Sequence, residues 1–164
     1  MKFIADAMLG RLARWLRALG FDVLYHRGIS DGQLLKISRE QERTILTRDT
    51  LFLKRKGVDG IFIRHDDVFE QLAQLRDTLD FREAASVGRC MICNGLLDPA
   101  PCREEVRESV PDFVYLTSRE FARCRDCGRV YWEGSHQRKM REKIETVFPG
   151  RRGPLFAREE DTGK

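Results

Sequence analysis

The order of apolar and polar positions divides the chain near residue 85. Before that point, short apolar segments alternate with stretches whose apolar residues recur every three or four positions, the spacing of a helix with one buried face. Strands that alternate with helices form a mainly parallel sheet, because right-handed crossovers return each strand in the same direction. We therefore predict an α/β domain over residues 1–85. Its predicted strands cover residues 2–5, 21–25, 44–47 and 61–63, and its predicted helices cover residues 9–19, 30–41, 50–56 and 67–79.

The first predicted helix is amphipathic. One face carries Trp15 and three leucines, whereas the opposite side carries Arg11, Arg14 and Arg17. The second helix opens with a Ser-x-x-Gln capping box at residues 30–33, a pattern that satisfies the first free N–H groups of a helix. These local signals support the helical assignments.

From residue 86 onward the sequence changes in composition and in its pattern of apolar residues. Two Cys-x-x-Cys pairs stand among prolines, glycines and short apolar segments, followed by a basic segment at 138–143. So small a module needs a metal or another cross-link for stability. We predict such a module, with a basic helical extension, over residues 86–148. Residues 149–164 combine proline, glycine and charge without periodicity, which predicts a flexible tail.

Composition and charge narrow the classes of function. With 41% hydrophobic residues among 164, the chain has enough apolar material for a packed core. It contains no run of about 18 apolar residues and no signal-peptide pattern, so we expect a cytoplasmic protein. Cysteines there stay reduced, which favours metal binding or catalysis over disulfides. Thirty basic and 26 acidic residues give a net charge of +4, so any nucleic-acid surface depends on local patterning.

Three aspartates follow strands of the predicted sheet. Asp6 and Asp49 come after the first and third strands, and Asp31 opens the helix after the second. Ligands bind beyond the carboxyl ends of parallel strands, so the three carboxylates are expected to converge there. Clustered carboxylates repel one another unless a hard cation neutralises them, which predicts Mg²⁺ or Mn²⁺, ions that activate water against phosphodiesters. Helix capping is the alternative role for Asp31 and Asp49, and Asp66 or Asp67 is a candidate fourth carboxylate.

Arginines near the same edge are candidates for binding substrate phosphates. Arg11 and Arg14 lie early in the first helix, and Arg48 adjoins the third aspartate. An ordinary solvated surface explains these three arginines equally well.

Cys90, Cys93, Cys124 and Cys127 form two Cys-x-x-Cys pairs, each followed by residues that tolerate positive φ. The spacer lets both thiolates of a pair face one ion, and two pairs complete a tetrahedral zinc site. A thioredoxin-like redox motif would explain only one pair. A closed four-thiolate site has no open position for water, so this zinc is structural and catalysis lies elsewhere. Cys102 lacks such a partner and is expected to be a free thiol.

Arginines and aromatic residues alternate around the second cysteine pair. Arginines bind phosphates and aromatic rings stack on unpaired bases, so this segment is a candidate surface for single-stranded RNA. Alternatively, the rings form the small core of the module and the charges are solvated. His136 is a further candidate phosphate contact, provided that the module folds over the acidic edge. The alternating residues are Arg119, Phe121, Arg123, Arg125, Arg129, Tyr131 and Trp132.

Several segments in order over residues 2–143 together resemble the Mut-seven C-terminal RNase domain family. They are KFIADAMLGRLARWLRALGFDVLY, SDGQLL, ILTRD, the two cysteine pairs and YWEGSHQRKM. The resemblance implies a PIN-like nuclease domain with a mainly parallel sheet, a small zinc ribbon and a metal-dependent ribonuclease activity. It implies Asp6, Asp31 and Asp49 as ligands of the catalytic metal, Cys90, Cys93, Cys124 and Cys127 as zinc ligands, and supporting or substrate-binding roles for Arg11, Arg14, Arg48 and His136.

The patterns and the resemblance together predict an Mg²⁺- or Mn²⁺-dependent ribonuclease. Endonucleolytic cleavage of unpaired RNA is the expected reaction, without an organic cofactor. The rival hypothesis is a non-catalytic RNA-binding or ribosome-associated adaptor that retains the first domain as a scaffold. A phosphotransfer enzyme is disfavoured, because Asp6 is not followed by the second aspartate of a DxD motif and no glycine-rich phosphate loop is present.

Overall fold

The structure, a computed structural model, describes residues 1–85, 88–99 and 102–150, and only the backbone of residues 135–138. By its internal contacts the chain divides into two compact units. The first unit contains residues 1–17 and 21–84, and the second contains residues 18–20 together with the chain from residue 85 onward. Residues 151–164, most of the predicted tail, lie outside the described residues.

A four-stranded parallel sheet forms the centre of the first unit. Its strand order is β2-β1-β3-β4, with Ile4 paired to Leu24 on one side and to Ile45 on the other. The chain leaves β1 toward β2 and leaves β3 toward the opposite edge, so the strand order reverses between β1 and β3. In open α/β sheets, the crevice at such a reversal is where ligands bind. The strands are β1 (Lys2–Ala5), β2 (Asp22–Tyr25), β3 (Thr44–Thr47) and β4 (Gly60–Phe62).

Four helices accompany this sheet. On one face, Ile4 and Ile45 pack with Leu34 and Phe52, which come from the helices after β2 and β3. The first and fourth helices contact each other through an edge-to-face pair of aromatic rings whose centroids are 4.9 Å apart. The third and fourth helices end a turn earlier than the sequence predicts. The helices are α1 (Gly10–Ala18), α2 (Asp31–Gln41), α3 (Thr50–Leu53) and α4 (Val68–Leu75).

Contrary to what its amphipathic sequence predicts, not all of the arginines of helix α1 lie on an exposed face. Arg11 and Arg14 are exposed, but Arg17 is only 4% exposed. The Nε of Arg17 donates a hydrogen bond to the carbonyl oxygen of Val23 at 2.8 Å. The aliphatic part of a long arginine side chain can be buried when its guanidinium has an acceptor, so Arg17 joins α1 to β2.

The second unit is a small antiparallel ribbon with two helices. Its sheet order is β5-β6-β7, and β6 and β7 form a hairpin that contains the second cysteine pair. A cluster of Val106, Val110, Phe121 and Val130 forms part of its core. The elements are β5 (Leu97–Pro99), β6 (Phe121–Cys124), β7 (Val130–Trp132), α5 (Asp112–Thr117) and α6 (Ser135–Val147).

The predicted fold class is confirmed. A parallel sheet flanked by helices precedes a separate antiparallel ribbon that brings four cysteines together. In the part of the chain that the structure describes, no helix combines the length and the hydropathy needed to cross a bilayer.

Candidate functional site

Asp6 and Asp49 stand at the reversal of strand order, after β1 and β3. The buried hydroxyl of Thr47, at the end of β3, links them. It donates to Asp6 Oδ2 at 2.5 Å and accepts a hydrogen bond from the Asp49 backbone N–H at 3.0 Å. The backbone N–H of Arg48 donates to the same Asp6 oxygen at 2.9 Å. The Asp6 carboxylate is therefore held in place by the end of the neighbouring strand.

Both aspartates also cap the helical turns that follow them. Asp6 Oδ1 accepts a hydrogen bond from the N–H of Met8 at 2.9 Å. Asp49 Oδ1 accepts two, from the N–H groups of Leu51 at 2.8 Å and Phe52 at 3.0 Å. Within the described residues, Asp49 Oδ2 has no hydrogen-bond partner. The capping expected of Asp49 is thus present, and it leaves one carboxylate oxygen for a further ligand.

Asp31 has a different environment. It is the first residue of α2, whereas Ser30 is the N-cap and forms the predicted capping box with Gln33. Asp31 Oδ2 lies 2.9 Å from a guanidinium nitrogen of Arg55, and about half of each side chain is exposed. This exposed ion pair is weak compared with a metal bond, because water screens it.

The three aspartates do not form a tight cluster. Among the described residues, the four cysteines are the one group of at least three Cys, His, Asp or Glu side chains whose ligand atoms all lie within 4.8 Å of one another. Mg²⁺ usually keeps several waters and binds one or two carboxylates together with substrate phosphates. Asp6 and Asp49 offer two such carboxylates, which follow the adjacent strands β1 and β3. Asp31 would have to exchange its contact with Arg55 to join them.

Of the remaining candidates, Arg48, Asp66 and Asp67 are engaged in ordinary contacts. The side chain of Arg48 forms an ion pair with the exposed Asp66. Asp67 caps α4, accepting hydrogen bonds from two backbone N–H groups at 2.8 and 3.2 Å. Arg11 and Arg14 remain exposed on α1. His136 lies in α6, and its side chain is outside the described residues.

The four cysteines of the second unit have the geometry of a tetrahedral metal site. Cys90 Sγ lies 3.6 Å from Cys127 Sγ, and Cys93 Sγ lies 3.4 Å from Cys124 Sγ. Sulfurs at the corners of a zinc tetrahedron, with bonds of about 2.3 Å, are about 3.8 Å apart. The donor set and the spacing therefore fit zinc. Cys102 is exposed and stands outside this group.

The turns around the cysteines supply hydrogen bonds to sulfur. The N–H of Cys93 lies 3.5 Å from Cys90 Sγ, and Asn94 and Gly128 adopt the positive φ that each turn requires. Burial opposes ionisation of the Cys90 thiol, but the N–H of Cys93 and the hydroxyl of Tyr131 lower its pKa to about 6. Such stabilisation of a thiolate favours metal binding, since the thiolate is the ligand form.

Sequence reasoning did not anticipate the role of Tyr131. Its hydroxyl lies 3.0 Å from Cys90 Sγ and accepts the N–H of Met91 at 3.2 Å. Burial, and then the hydrogen bond to Cys90, raise the pKa of the Tyr131 phenol, so it stays protonated. The only sequence signal is an aromatic residue in the strand after the second cysteine pair.

The aromatic residues of the ribbon are mainly core. Phe121 and Tyr131 are 8% and 7% exposed, which favours the core interpretation for both. Trp132 is half-buried and, with Arg129 and Cys127, lines an open groove of about 540 Å³. Of the three aromatic rings predicted as candidates for base stacking, Trp132 therefore remains a candidate, whereas Phe121 and Tyr131 do not.

Comparison with known proteins gives one positive result. A model of the family described as "Mut7-C RNAse domain" matches residues 1–144, a span that includes the parallel sheet, the cysteine pairs and most of α6. Neither the curated proteins nor the solved structures contain a significant match to this chain.

Proposed function

The chain belongs to the Mut7-C RNAse domain family, and we propose that it is a ribonuclease that depends on Mg²⁺ or Mn²⁺. The observation that carries the proposal is the pair of carboxylates at the strand-order reversal, where Thr47 contacts both Asp6 and Asp49. A position of this kind is where open α/β sheets bind ligands. We assign the nuclease domain to residues 1–85 and the zinc ribbon with its helical extension to residues 86–148.

In this proposal, Asp6 and Asp49 would hold the divalent ion, and Asp31 would join them by exchanging its contact with Arg55. When bound, such an ion polarises the phosphodiester and makes water a stronger nucleophile. Thr47 and the Arg48 backbone keep the Asp6 carboxylate oriented, so little reorganisation is needed when the ion arrives. Arg11, Arg14 and Arg48 bind the flanking phosphates of the strand.

The second unit contributes binding. Cys90, Cys93, Cys124 and Cys127 hold a structural Zn²⁺, and the groove that Arg129 and Trp132 line offers a cation and part of a ring to an RNA strand. His136 is assigned to substrate binding as well. Unpaired RNA is the proposed substrate, because exposed bases are needed for contact with such a surface. Internal cleavage is the proposed mode. We place this reaction in the cytoplasm.

The test uses zinc-loaded full-length protein and a pool of structured and single-stranded RNA. We expect cleavage with added Mn²⁺ or Mg²⁺ and none without it. Asp49→Asn should keep the helix cap, since Asn and Asp are similar N-caps. It should lower the cleavage rate about a hundredfold or more, while RNA binding measured by gel shift is retained.

Asp80→Asn is the matched control. Asp80 also caps a short helical turn through the N–H two residues later, at 3.0 Å, but it has no part in the proposed site. Wild-type activity is expected from this variant. Absence of metal-stimulated cleavage by the wild-type protein, or equal cleavage by Asp49→Asn, would contradict the proposal.

One observation favours the non-catalytic RNA-binding or ribosome-associated adaptor as the second candidate. Asp31 is paired with Arg55, and the three aspartates do not form a cluster whose carboxylates could all bind one ion. An adaptor would bind RNA equally well with and without divalent metal, and Asp49→Asn would leave that binding unchanged. The nuclease proposal also expects Asp49→Asn to retain binding, so the result that separates the two candidates is metal-stimulated cleavage by the wild-type protein.

A further inference from the structure

Two segments of the first unit share a pattern that includes an exposed apolar residue, and neither the fold nor the proposed metal site requires that residue. They are DAMLGR, which follows β1, and DTLFLK, which follows β3. In each, the aspartate accepts a hydrogen bond from the N–H two residues later, at 2.9 Å for Met8 and 2.8 Å for Leu51. Met8 is 71% exposed and Leu51 is 72% exposed. Each acidic turn thus presents a large apolar side chain to solvent.

The two segments match at their other positions too. The residue after each exposed apolar side chain, Leu9 or Phe52, is 1% exposed and belongs to the core. Three residues after the exposed side chain comes an exposed cation, Arg11 in the first segment and Lys54 in the second. Both turns therefore combine a carboxylate, an exposed apolar group and a cation.

Capping alone does not explain the exposure. Asp67 caps α4 with the same geometry, and the N–H of Phe69 lies 2.8 Å from its Oδ1. Yet the Phe69 ring packs against Trp15, with the ring centroids 4.9 Å apart. In the described part of the first unit, the exposed large apolar residues are Met8, Leu51 and the N-terminal Met1. Met8 and Leu51 both lie beside the proposed metal-binding carboxylates.

We propose that Met8 and Leu51 contact the nucleobases on the two sides of the cleaved phosphodiester, while Arg11 and Lys54 bind the neighbouring phosphates. This inference rests on the proposed function and adds the part of the substrate that the site recognises. An unpaired RNA strand has the complementary chemistry, since its base faces are apolar and its backbone is anionic. Paired RNA hides those faces in the helical stack.

Binding rather than cleavage provides the test. Zinc-loaded protein without added Mg²⁺ or Mn²⁺ is titrated into a fluorescent oligouridine of ten nucleotides and, separately, into an abasic ribose-phosphate oligomer of equal length. We expect the wild-type protein to bind the oligouridine more tightly. Met8→Ala combined with Leu51→Ala should weaken oligouridine binding about threefold to tenfold and leave abasic binding unchanged.

Phe113 and Leu116 provide a matched control, because they are a similarly exposed apolar pair on α5, at 74% and 75%. Changing both to alanine should leave the preference for bases unchanged. Replacing Arg11 and Lys54 by alanine should instead weaken binding of both oligomers and reduce the salt dependence of log K by about 1.4.

Three results would overturn the inference. They are equal binding of the two oligomers by the wild-type protein, an unchanged base preference in the Met8 and Leu51 double variant, and loss of that preference in the α5 control. None of these depends on catalysis. Failure of the proposed function would appear separately, as absence of metal-stimulated cleavage by a protein that still prefers base-bearing RNA.

Discussion

At the scale of single residues, the proposed site depends on one hydroxyl group. Thr47 is 1% exposed, and its oxygen both donates to Asp6 and accepts from the N–H of Asp49. A side chain in this position couples the orientation of one carboxylate to the backbone that carries the other. Thr47 is therefore a positioning residue in the proposed reaction.

Thr47→Val tests this coupling, because valine has nearly the same shape but no hydroxyl. The change leaves the partly buried N–H of Asp49 without its acceptor and removes one donor from Asp6, so we expect the free energy of unfolding to fall by about 1–3 kcal/mol. Urea denaturation measures this loss. Metal-stimulated cleavage should fall as well, whereas Thr47→Ser, which keeps the hydroxyl, should restore both. Wild-type cleavage by the valine variant would exclude a positioning role.

The sequence predicted the two central aspartates because strand ends are visible in the apolar pattern and parallel strands end at one edge. It could not predict that Asp31 pairs with Arg55, since that contact depends on where the end of α3 lies. The contacts of Thr47 and Tyr131 were missed for the same reason. A hydroxyl in a strand gives no sequence signal of what it faces across the sheet.

At the scale of elements, one buried arginine connects three strands at their amino ends, whereas the aspartates follow the carboxyl ends. Arg43 precedes β3 and is 7% exposed. Its guanidinium contacts the Asp22 carboxylate of β2 at 2.7 and 3.3 Å and the Phe3 carbonyl oxygen of β1 at 3.1 Å. These bonds join the amino ends of the strands and support the register in which Asp6 and Asp49 follow adjacent strands.

Arg43→Met removes these bonds, including both contacts of the guanidinium with the largely buried Asp22 carboxylate. We expect a loss of about 3 kcal/mol in the free energy of unfolding. Cleavage per folded molecule should not change, because the site is at the other end of the strands. Arg82→Met is the control, since its ion pair with Asp80 is on the surface and should matter little. Equal stability of the two variants would show that Arg43 does not hold the sheet.

Elements were predicted best where local chemistry defines their ends. The capping box at Ser30 and Gln33 is present, and α2 ends at the predicted residue. Helices α3 and α4 end earlier, at Leu53 and Leu75, because turns follow both. Apolar periodicity continues through such a turn, so spacing alone overestimates the helix. In the ribbon, the alternation of arginines and rings suited either an RNA surface or a core, and burial decides for the core at Phe121.

At the scale of the whole molecule, the two units depend on different sources of stability. The first has an apolar core on a parallel sheet, whereas the second brings four cysteines together in a short ribbon. Cys124→Ser should therefore abolish stoichiometric zinc binding and unfold the ribbon. Atomic emission gives the zinc content, and amide exchange gives the unfolding of each unit separately.

Cys102→Ser is the control for that experiment, because Cys102 is exposed and outside the cluster. It should retain one zinc ion per chain and the exchange protection of the wild-type ribbon. Full zinc content in Cys124→Ser, or zinc loss in Cys102→Ser, would contradict the four-cysteine assignment.

In the proposed function, the carboxylates at the strand-order reversal support metal-dependent hydrolysis of RNA. Its most direct test is single-turnover cleavage of one end-labelled, unpaired RNA by the wild-type protein and by the Asp6→Asn and Asp49→Asn double variant, with the product ends identified. We predict Mn²⁺-dependent cleavage by the wild-type protein alone, with products that lack 2′,3′-cyclic phosphates because water is the nucleophile. Cyclic phosphate products, or the same cleavage by the double variant, would exclude metal-dependent hydrolysis at these carboxylates.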